Sequence, residues 1–494
     1  MIFSSLQYLL FLPVVVFLYW RTTGGARLLL VVAASYFFYM SWLPIYGILL
    51  FSLTCLNWLL GLAIEQARDK TRLRQKMLLT AALVMNVGCL CYYKHANFLL
   101  ANLNAVGKHV SNLLSFSGTA IPVWEAPALN ILLPLGISFF VFEFIHYTVD
   151  VYRGDKAIRS WLEFAAFAAF FPSQIAGPIK RYQDFMPSLR NPEPWSKSLC
   201  IEGLTLIVRG LFKKIAIADP LSVLVFDGYA ATHALSCADA LIVAIGFTIQ
   251  VFCDFSGYTD LGRGSALLMG IRLPENFRLP YLSRDLIAYR RTWHMSLGMW
   301  FKDYVYVPLS GSRGGRVATW RNLFLTMTIS GLWHGAAWHF VLWGALHGIG
   351  LIVNREWRDL VSSVKALKTA SDTWAAQLLA SALTMSFITA VMVIFRAPDM
   401  ARAIAVLTGL TNVSGHSDLV FPLIKSAVMY FLGVYLVFWA LSEALRKTNF
   451  AVPGVWTAKD GFFLPVRLAS VTVAVLLMIA ARPEQACPFV YFQF

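Results

Sequence analysis

Residues 3–20 read FSSLQYLLFLPVVVFLYW, an apolar stretch without a charged side chain. A helix needs about 20 mainly apolar residues to cross the hydrocarbon of a bilayer. Comparable stretches recur as far as 465–481, and by this length criterion we count roughly ten to thirteen of them. Because no charged segment precedes residues 3–20 and no small-residue cleavage site follows, we expect a retained helix rather than a signal peptide. The sequence predicts an all-α, polytopic membrane protein.

The composition agrees with a membrane environment, since 58% of the residues are hydrophobic and 14% are charged, against about 25% charged in soluble domains. The net charge of +15 would suit nucleic acid, but the basic residues lie in short loops between apolar segments. That pattern sets membrane topology. We therefore expect membrane lipid and no nucleic acid as partner, with the basic loop at 68–76 in the cytoplasm and the N-terminus outside.

The hydropathy pattern predicts one membrane domain over 1–494. We divide it into N-terminal scaffold helices (1–128), a catalytic region (129–356) and C-terminal helices (357–494). Scaffold helices are predicted at 3–20, 27–42, 45–64 and 77–93, followed by an outside loop with a partly buried helix over 94–128. Later crossings are predicted near 376–396, 423–444 and 465–481.

Residues 171–178 read FPSQIAGP and interrupt an apolar segment with two prolines and Gly177. Backbone groups freed by such a break cannot face lipid, so they must be buried in protein or line a cavity. We interpret this segment as re-entrant and expect Gly177 and Pro178 to face an interior chamber.

Residues 331–348 read GLWHGAAWHFVLWGALHG and carry three histidines in an apolar stretch. On one helix, positions 334, 339 and 347 would not share a face, so we expect no metal site. Hydrogen-bonded packing histidines are one interpretation. The other needs a single neutral imidazole that takes a proton from an acceptor hydroxyl as general base. His334 is best placed for that role, with Trp333 and Trp338 as walls and Gly335 leaving room for substrate.

The stretch 272–321 holds nine basic residues against three acidic ones. Its segment 289–304 has the composition of an amphipathic interface helix, but arginine clusters also bind phosphates. We expect Arg290, Arg291 and Lys302 to bind a phosphorylated acyl-CoA donor from the cytoplasm, with His294 assisting at the thioester.

Two pairs of ionisable residues lie in apolar helices. Asp254 and Asp260 occur in DFSGYTD (254–260) and either cap helices or pair with nearby arginines, or else contribute to the site. Glu143 and His146 are three residues apart, on one helix face. A buried hydrogen-bonded pair is the favoured interpretation there, because two ligands alone do not make a zinc site.

Eight motifs occur together and in order: PLGISF (134–139), VDVYRG (149–154), AGPI (176–179), DFSGYTD (254–260), PENF (274–277), WHMSL (293–297), YVPL (306–309) and GLWHGA (331–336). In this order they resemble the membrane-bound O-acyltransferase (MBOAT) family, and most closely its bacterial branch, the alginate O-acetyltransferase membrane subunit and its cellulose-acetylating relatives. The likeness runs from about residue 1 to 350.

The resemblance implies that His334 is the essential histidine and His294 the second one. It implies a funnel through the bacterial inner membrane, open to the donor, acetyl-CoA or an acyl carrier, from the cytoplasm and to the acceptor from outside. We expect no bound cofactor, and we expect acetyl to pass through a periplasmic acetyltransferase partner to a polysaccharide. The residues expected to line the funnel are Asp254, Ser256, Tyr258, Gly177, Pro178, Trp333 and Trp338.

Two alternatives stay open from the sequence. A sister branch of the family transfers D-alanine to teichoic acids. Broken helices and intramembrane His, Asp and Glu also mark secondary transporters, although the repeated halves typical of transporters are not seen in this sequence.

Overall fold

The computed structural model describes residues 1, 3–115, 125–175, 177–231 and 234–413. Within these ranges the chain forms helices and no strands, which confirms the all-α class. The predicted crossings near 423–444 and 465–481 lie outside the described residues.

The first part of the chain, up to the long central helix, consists of helices that differ widely in length. They are α1 (Leu6–Arg21), α2 (Gly24–Met40), α3 (Ile45–Ala67), α4 (Arg72–Leu90), α5 (Ala96–Ser115), α6 (Ile137–Arg153), α7 (Trp161–Ala168), α8 (Phe171–Gln174), α9 (Tyr182–Arg190), α10 (Lys197–Leu211) and α11 (Asp219–Ala230).

The second part contains the central helix and the elements that follow it. They are α12 (Cys237–Leu268), a short 3₁₀ turn (Pro280–Leu282), α13 (Leu286–Thr292), α14 (Met295–Phe301), α15 (Gly315–His334), α16 (Trp338–Ser363), α17 (Lys365–Ser371), α18 (Trp374–Arg396) and α19 (Met400–Gly409). Within the described ranges, three π-helical segments lie among the helices of the two parts: π1 (Cys91–His95), π2 (Phe212–Ala218) and π3 (Lys302–Tyr306).

Several helices begin where the sequence supplies a short polar side chain. Ser5, Ser236 and Thr373 each accept a hydrogen bond from a backbone N–H in the first turn of the helix that follows. Such caps satisfy donors that the helix itself cannot. The long apolar runs thus start at defined residues.

Among the described residues, four helical segments are long and apolar enough to cross a membrane by length and composition. They are Ile45–Ala67, Arg72–Leu113, Cys237–Leu268 and Trp374–Arg396. The chain is therefore a multi-pass membrane protein, and α18 matches the crossing expected near 376–396.

The predicted loop at 94–128 is only partly present. α4 continues through π1 into α5, so that the helix runs to Ser115. The polar residues that suggested a loop lie on this helix, where the half-buried side chains of Asn102 and Asn104 donate hydrogen bonds to backbone carbonyls. The helix expected within this segment is thus present, and it tolerates polar side chains because a helix satisfies its own backbone.

α12 lies at the centre of the molecule and packs against α10, α11, α18 and α8. Glycines allow α10 and α12 to approach closely, because a Cβ atom at Gly210 would lie 2.6 Å from the carbonyl oxygen of Gly257. A Cβ atom at Gly264 would lie 2.6 Å from that of Gly203. Close backbone contact of this kind holds membrane helices together without a hydrophobic driving force.

The interruption expected at 171–178 is present. α7 ends at Ala168, α8 occupies only Phe171–Gln174, and Gly177 and Pro178 have no regular structure. Backbone donors on either side find side-chain acceptors, since Phe171 N donates to Ser35 Oγ at 3.1 Å and Ile179 N to Ser296 Oγ at 3.0 Å. The break is buried in protein, as the physics of the bilayer requires.

Candidate functional site

The histidine-rich stretch folds as two helices joined by a short extended link. α15 ends at His334 and α16 begins at Trp338, and Gly335 and Ala337 have extended backbone. The three histidines are therefore not on one helix. The described residues contain no group of three His, Cys, Asp or Glu side chains that could hold a metal ion.

His334 is buried in a cage of aromatic rings. Its ring centroid lies 4.7 Å from that of Trp333, 5.0 Å from Trp343 and 5.4 Å from Phe395. Trp343 also contacts the buried His347, at 4.4 Å. The rings of Trp333, Trp343 and Phe395 thus surround His334, and the motif did not indicate the last two.

The glycines of this stretch serve helix packing. A Cβ atom at Gly335 would lie 2.0 Å from the ring of Phe340, and one at Gly331 would lie 2.2 Å from the carbonyl oxygen of Phe340. One at Gly344 would lie 2.3 Å from the carbonyl oxygen of Met327. The expectation that Gly335 leaves room for substrate is corrected, because the Phe340 ring fills that space.

His294 lies at the N-terminal end of α14 with left-handed backbone, φ 44° and ψ 55°. A non-glycine residue with positive φ is uncommon and persists where its surroundings hold it. Asn276 does so: its carbonyl oxygen accepts a hydrogen bond from Met295 N at 2.9 Å, and its side chain accepts two from Ser296, at 3.1 and 2.7 Å. The strained position of His294 is thereby fixed.

His294 and His334 belong to one cluster. The Phe139 ring lies 6.4 Å from His294 and 6.2 Å from Trp333, so it joins the two halves. Arg290 lies within electrostatic range of His294, His334 and His347. We call His294, His334 and the rings around them the histidine site.

A cavity of about 820 Å³ opens beside the histidine site, and we call it the basic cavity. Arg290, Arg291 and Lys302 all line it, although they come from α13 and π3. Arg355 and Arg358 from α16 add two further positive charges. The three residues expected to bind the donor are brought together, and two arginines join them.

The apolar wall of the cavity connects it to the histidines along the chain. Met295 follows His294 directly, and Met327 lies on α15 two turns before His334. Met299 and Leu351 complete this wall. A ligand in the basic cavity would therefore have charged groups on one side and methionines leading toward the histidine site on another.

The basic residues of 272–321 divide into two groups. Arg272 bonds to Glu193 and Glu202, Arg278 to Glu275, and Arg316 to Glu356. The hydrogen bonds that Arg272 donates to these two glutamates raise its pKa. By contrast, Arg291 and Lys302 have no carboxylate oxygen within 4.0 Å among the described residues, so their charge is available to a ligand.

The carboxylates of DFSGYTD are neutralised by cations. Lys214 of π2 lies 2.8 Å from Asp254 and 2.8 Å from Asp219, and we call these three residues the α12 ion-pair cluster. Asp260 pairs with Arg209 at 2.7 Å and with Lys213 at 2.8 Å. Pairing, one of the two interpretations made for these acids, is what the structure contains, with lysines as well as arginines.

The other residues expected along a funnel are placed variously. Ser256 and Tyr258 are buried on α12, and the Tyr258 ring stacks on Phe3 with centroids 5.6 Å apart. Gly177 and Pro178 are buried in the break. None of these four residues lines the basic cavity or a second cavity between α16 and α18, and neither does Asp254.

Trp338 is 63% exposed and does not face His334. Its indole nitrogen donates to Asn102 Oδ1 at 3.0 Å, and its ring packs on Phe98. The expectation that Trp338 forms a wall around His334 is corrected, because the link at 335–337 turns the start of α16 away.

Glu143 and His146 do not form the expected pair. Both carboxylate oxygens of Glu143 accept hydrogen bonds from Lys180 Nζ, at 2.8 and 2.7 Å. His146 instead stacks on Tyr182, with ring centroids 6.1 Å apart. A buried carboxylate is costly without a compensating positive charge, and no local pattern indicated that Lys180 would supply it.

The sequence analysis did not select two kinds of residue that the structure places in the site. Arg355 and Arg358 are three apart on α16 and so share a face, a signal that was present after the apolar run. Asn276, by contrast, acts through hydrogen bonds across the fold that no local pattern announces.

The chain is similar in sequence to known proteins. The family model for the membrane-bound O-acyltransferase family matches residues 48–395, which includes both histidines and the basic cavity.

Individual relatives support the same family. The chain is 38% identical over 357 residues to "Probable alginate O-acetylase AlgI" of Pseudomonas syringae pv. tomato, covering 72% of this chain and 66% of the relative. It is 31% identical over 406 residues to "Peptidoglycan O-acetyltransferase" of Helicobacter pylori, covering 77% and 72%. It is 30% identical over 237 residues to "Teichoic acid D-alanyltransferase" of Streptococcus thermophilus, covering 45% and 57%. The match thus spans about two thirds of the length of the first of these relatives.

Proposed function

The chain belongs to the membrane-bound O-acyltransferase family, and we propose that it transfers acetyl from a cytoplasmic thioester donor across the inner membrane for O-acetylation of an exopolysaccharide such as alginate or cellulose. The observation that carries this proposal is the position of two buried histidines beside a cavity lined by five basic side chains.

The basic cavity supports acetyl-CoA as the donor. The phosphates of coenzyme A carry several negative charges, and arginine guanidinium groups bind phosphate oxygens in pairs of hydrogen bonds. Arg291 and Lys302 have no carboxylate oxygen within 4.0 Å among the described residues, although Asp359 also lines the cavity. The methionine wall offers an apolar path for the thioester arm toward the histidine site. In this proposal the cavity faces the cytoplasm, as its positive charge favours.

The histidine site supplies the acid–base chemistry. His334 accepts the proton of the attacking hydroxyl, the hydroxyl oxygen attacks the carbonyl carbon of the thioester, and the carbon–sulfur bond breaks. The proton returns to the sulfur, and coenzyme A leaves as the free thiol. A positioned general base of this kind contributes about 10²–10⁴-fold. Burial among rings keeps the imidazole neutral and excludes water, which limits hydrolysis of the thioester.

The names of the relatives support a polysaccharide as the final acceptor, since one is called an alginate O-acetylase and another a peptidoglycan O-acetyltransferase. We propose that acetyl is handed to a periplasmic acetyltransferase partner that modifies the polymer. D-Alanyl transfer is the second candidate, favoured by the match to the teichoic acid D-alanyltransferase over 45% of this chain. Family membership argues against a secondary transporter.

The test is acetyl transfer in proteoliposomes with acetyl-CoA labelled in the acetyl group. Wild-type protein should transfer label from acetyl-CoA to an added hydroxyl acceptor and release the free thiol without an ion gradient. His334→Ala should lose transfer by about 10²-fold or more with normal insertion, whereas His347→Ala should have a milder effect. Normal transfer by His334→Ala would overturn the assignment of the base. Transfer of D-alanine from a carrier protein, but not of acetyl, would favour the second candidate.

A further inference from the structure

The C-terminal end of α15 needs hydrogen-bond donors from outside the helix. The last four carbonyl groups of an α-helix have no partner within the helix, and inside a membrane each unsatisfied group costs several kcal/mol. α15 ends at His334, and Gly335 and Ala337 in the link that follows have extended backbone.

Two neighbouring side chains of π1 reach this end from another part of the fold. Lys94 Nζ donates to the carbonyl oxygen of His334 at 2.7 Å, and His95 Nε2 bonds to that of Leu332 at 2.9 Å. The Lys94 ammonium group also lies 5.7 Å from the centroid of the Trp333 ring. Three consecutive residues of α15 are thus contacted by two consecutive residues of π1.

The charge of Lys94 has an unusual setting. Among the described residues no carboxylate oxygen lies within 4.0 Å of its ammonium group. A carbonyl at a helix C-terminus, where the helix dipole is negative, and an aromatic face are both favourable places for a cation. The ammonium group is therefore directed at the end of α15 and not at an acid.

The π-helical turn gives this arrangement its geometry. Single π turns inside α-helices are rare and occur frequently at functional sites. π1 lies within the long segment Arg72–Leu113, whose remaining residues follow ordinary α-helical geometry. The wider turn lets adjacent residues, Lys94 and His95, both contact α15.

We propose that Lys94 is a positioning residue that fixes the main chain of His334, and with it the place of the His334 imidazole, through the hydrogen bond to the His334 carbonyl oxygen. This inference rests on the proposed role of His334. His95 assists by holding Leu332. Through π1 the N-terminal helices thus set the geometry of a histidine about 240 residues further along the chain.

The proposed role of Lys94 predicts a change in kcat and not in KM. Arg291 and Lys302, which would hold the donor, lie on α13 and π3 and make no contact with Lys94 that the structure records. Loss of the Lys94 ammonium group should therefore lower kcat and leave KM for acetyl-CoA unchanged, since misplacing a catalytic group by about 1 Å can cost 10²-fold.

The test compares Lys94→Met, which keeps the aliphatic stem, with Lys94→Arg, which keeps the charge and the donors. Lys108→Met is the matched control, because Lys108 is an exposed lysine on the same continuous helix. We expect kcat to fall at least tenfold in Lys94→Met with KM within twofold, Lys94→Arg to recover most of it, and Lys108→Met to behave as wild type. In a His334→Ala background, Lys94→Met should cause no further loss.

Wild-type kcat in Lys94→Met would overturn the inference, and so would equal losses in Lys94→Met and Lys94→Arg. A raised KM with unchanged kcat would place Lys94 in donor binding instead and also overturn it. If Lys94→Met does not reach the membrane, Lys94→Gln, which keeps a donor without the charge, replaces it. Activity in His334→Ala would defeat the proposed function itself, so the two failures are distinguishable.

Discussion

The histidine site and the α12 ion-pair cluster both bury ionisable side chains, but they surround them differently. His294 and His334 are enclosed by aromatic rings and lie beside a cavity. Lys214, in contrast, lies between two carboxylates at 2.8 Å from each, and its partner Asp254 is 1% exposed. One region is built from rings around imidazoles, the other from ion pairs.

This difference helps to distinguish a catalytic role from a structural role among intramembrane ionisable residues. A buried charge is tolerated when an opposite charge compensates it, and such a pair holds two elements together. An imidazole can be buried in its neutral form, so it needs no compensating charge and keeps its capacity to accept a proton. Charge pairing thus indicates a structural role for the cluster, and the aromatic cage with its adjoining cavity indicates a catalytic role for the histidines.

The largest expected effect would test the structural side of this comparison. Lys214→Met leaves two buried carboxylates without their cation, and breaking a buried ion pair by removing one partner costs about 3–5 kcal/mol. We expect a sharply lower thermal midpoint and a reduced amount of protein in the membrane, measured by fluorescence-detected size-exclusion chromatography after heating. Lys197→Met, at an exposed position of α10, is the control. Normal stability with lost activity would place the cluster in the reaction.

The next effect concerns the catalytic side. His294→Asn removes the imidazole but keeps a residue that tolerates left-handed backbone, so the turn at φ 44° can persist. We expect kcat to fall about 10²-fold while the thermal midpoint stays within a few degrees of wild type. His109→Asn, at an exposed position of α5, controls for loss of a histidine. A large drop in stability with unchanged kcat would make His294 a packing residue like those of the cluster.

The smallest effect tests whether the basic cavity is a donor site. Arg355→Gln and Arg358→Gln should each raise KM for acetyl-CoA about fivefold at unchanged kcat, because one partly exposed phosphate contact is worth about 1 kcal/mol. With S-acetyl-pantetheine, which lacks the phosphates, the variants and wild type should not differ. An equal loss with both substrates would mean that the arginines shape the fold and do not bind phosphate.

Many residues of the candidate site could be selected from local signals in the sequence. The two histidines stand in polar–aromatic motifs within apolar runs, and Arg290, Arg291 and Lys302 stand out by charge, so their types and their neighbourhood in the chain were enough to select them. The interruption at 171–178 was predictable because proline and glycine act on the backbone where they occur. The exact route of the funnel and the division into three regions stay predictions.

Errors arose where the answer depended on distant residues. Glu143 bonds to Lys180, 37 positions away, and not to His146. The space beside Gly335 is taken by Phe340. Lys94 gave no signal as a site residue, because its partner is a carbonyl oxygen 240 residues further on.

The sequence by itself determined the solvent, the helical class and the chemical types available for the reaction. Composition decides whether a segment prefers lipid, and in lipid only a backbone that bonds internally, or is buried in protein, is tolerated. The tertiary structure decided which ionisable groups neutralise one another and which lie against rings or a cavity. It did so because pairing energies depend on distances of a few ångströms between segments far apart in the chain, and no periodicity records those distances.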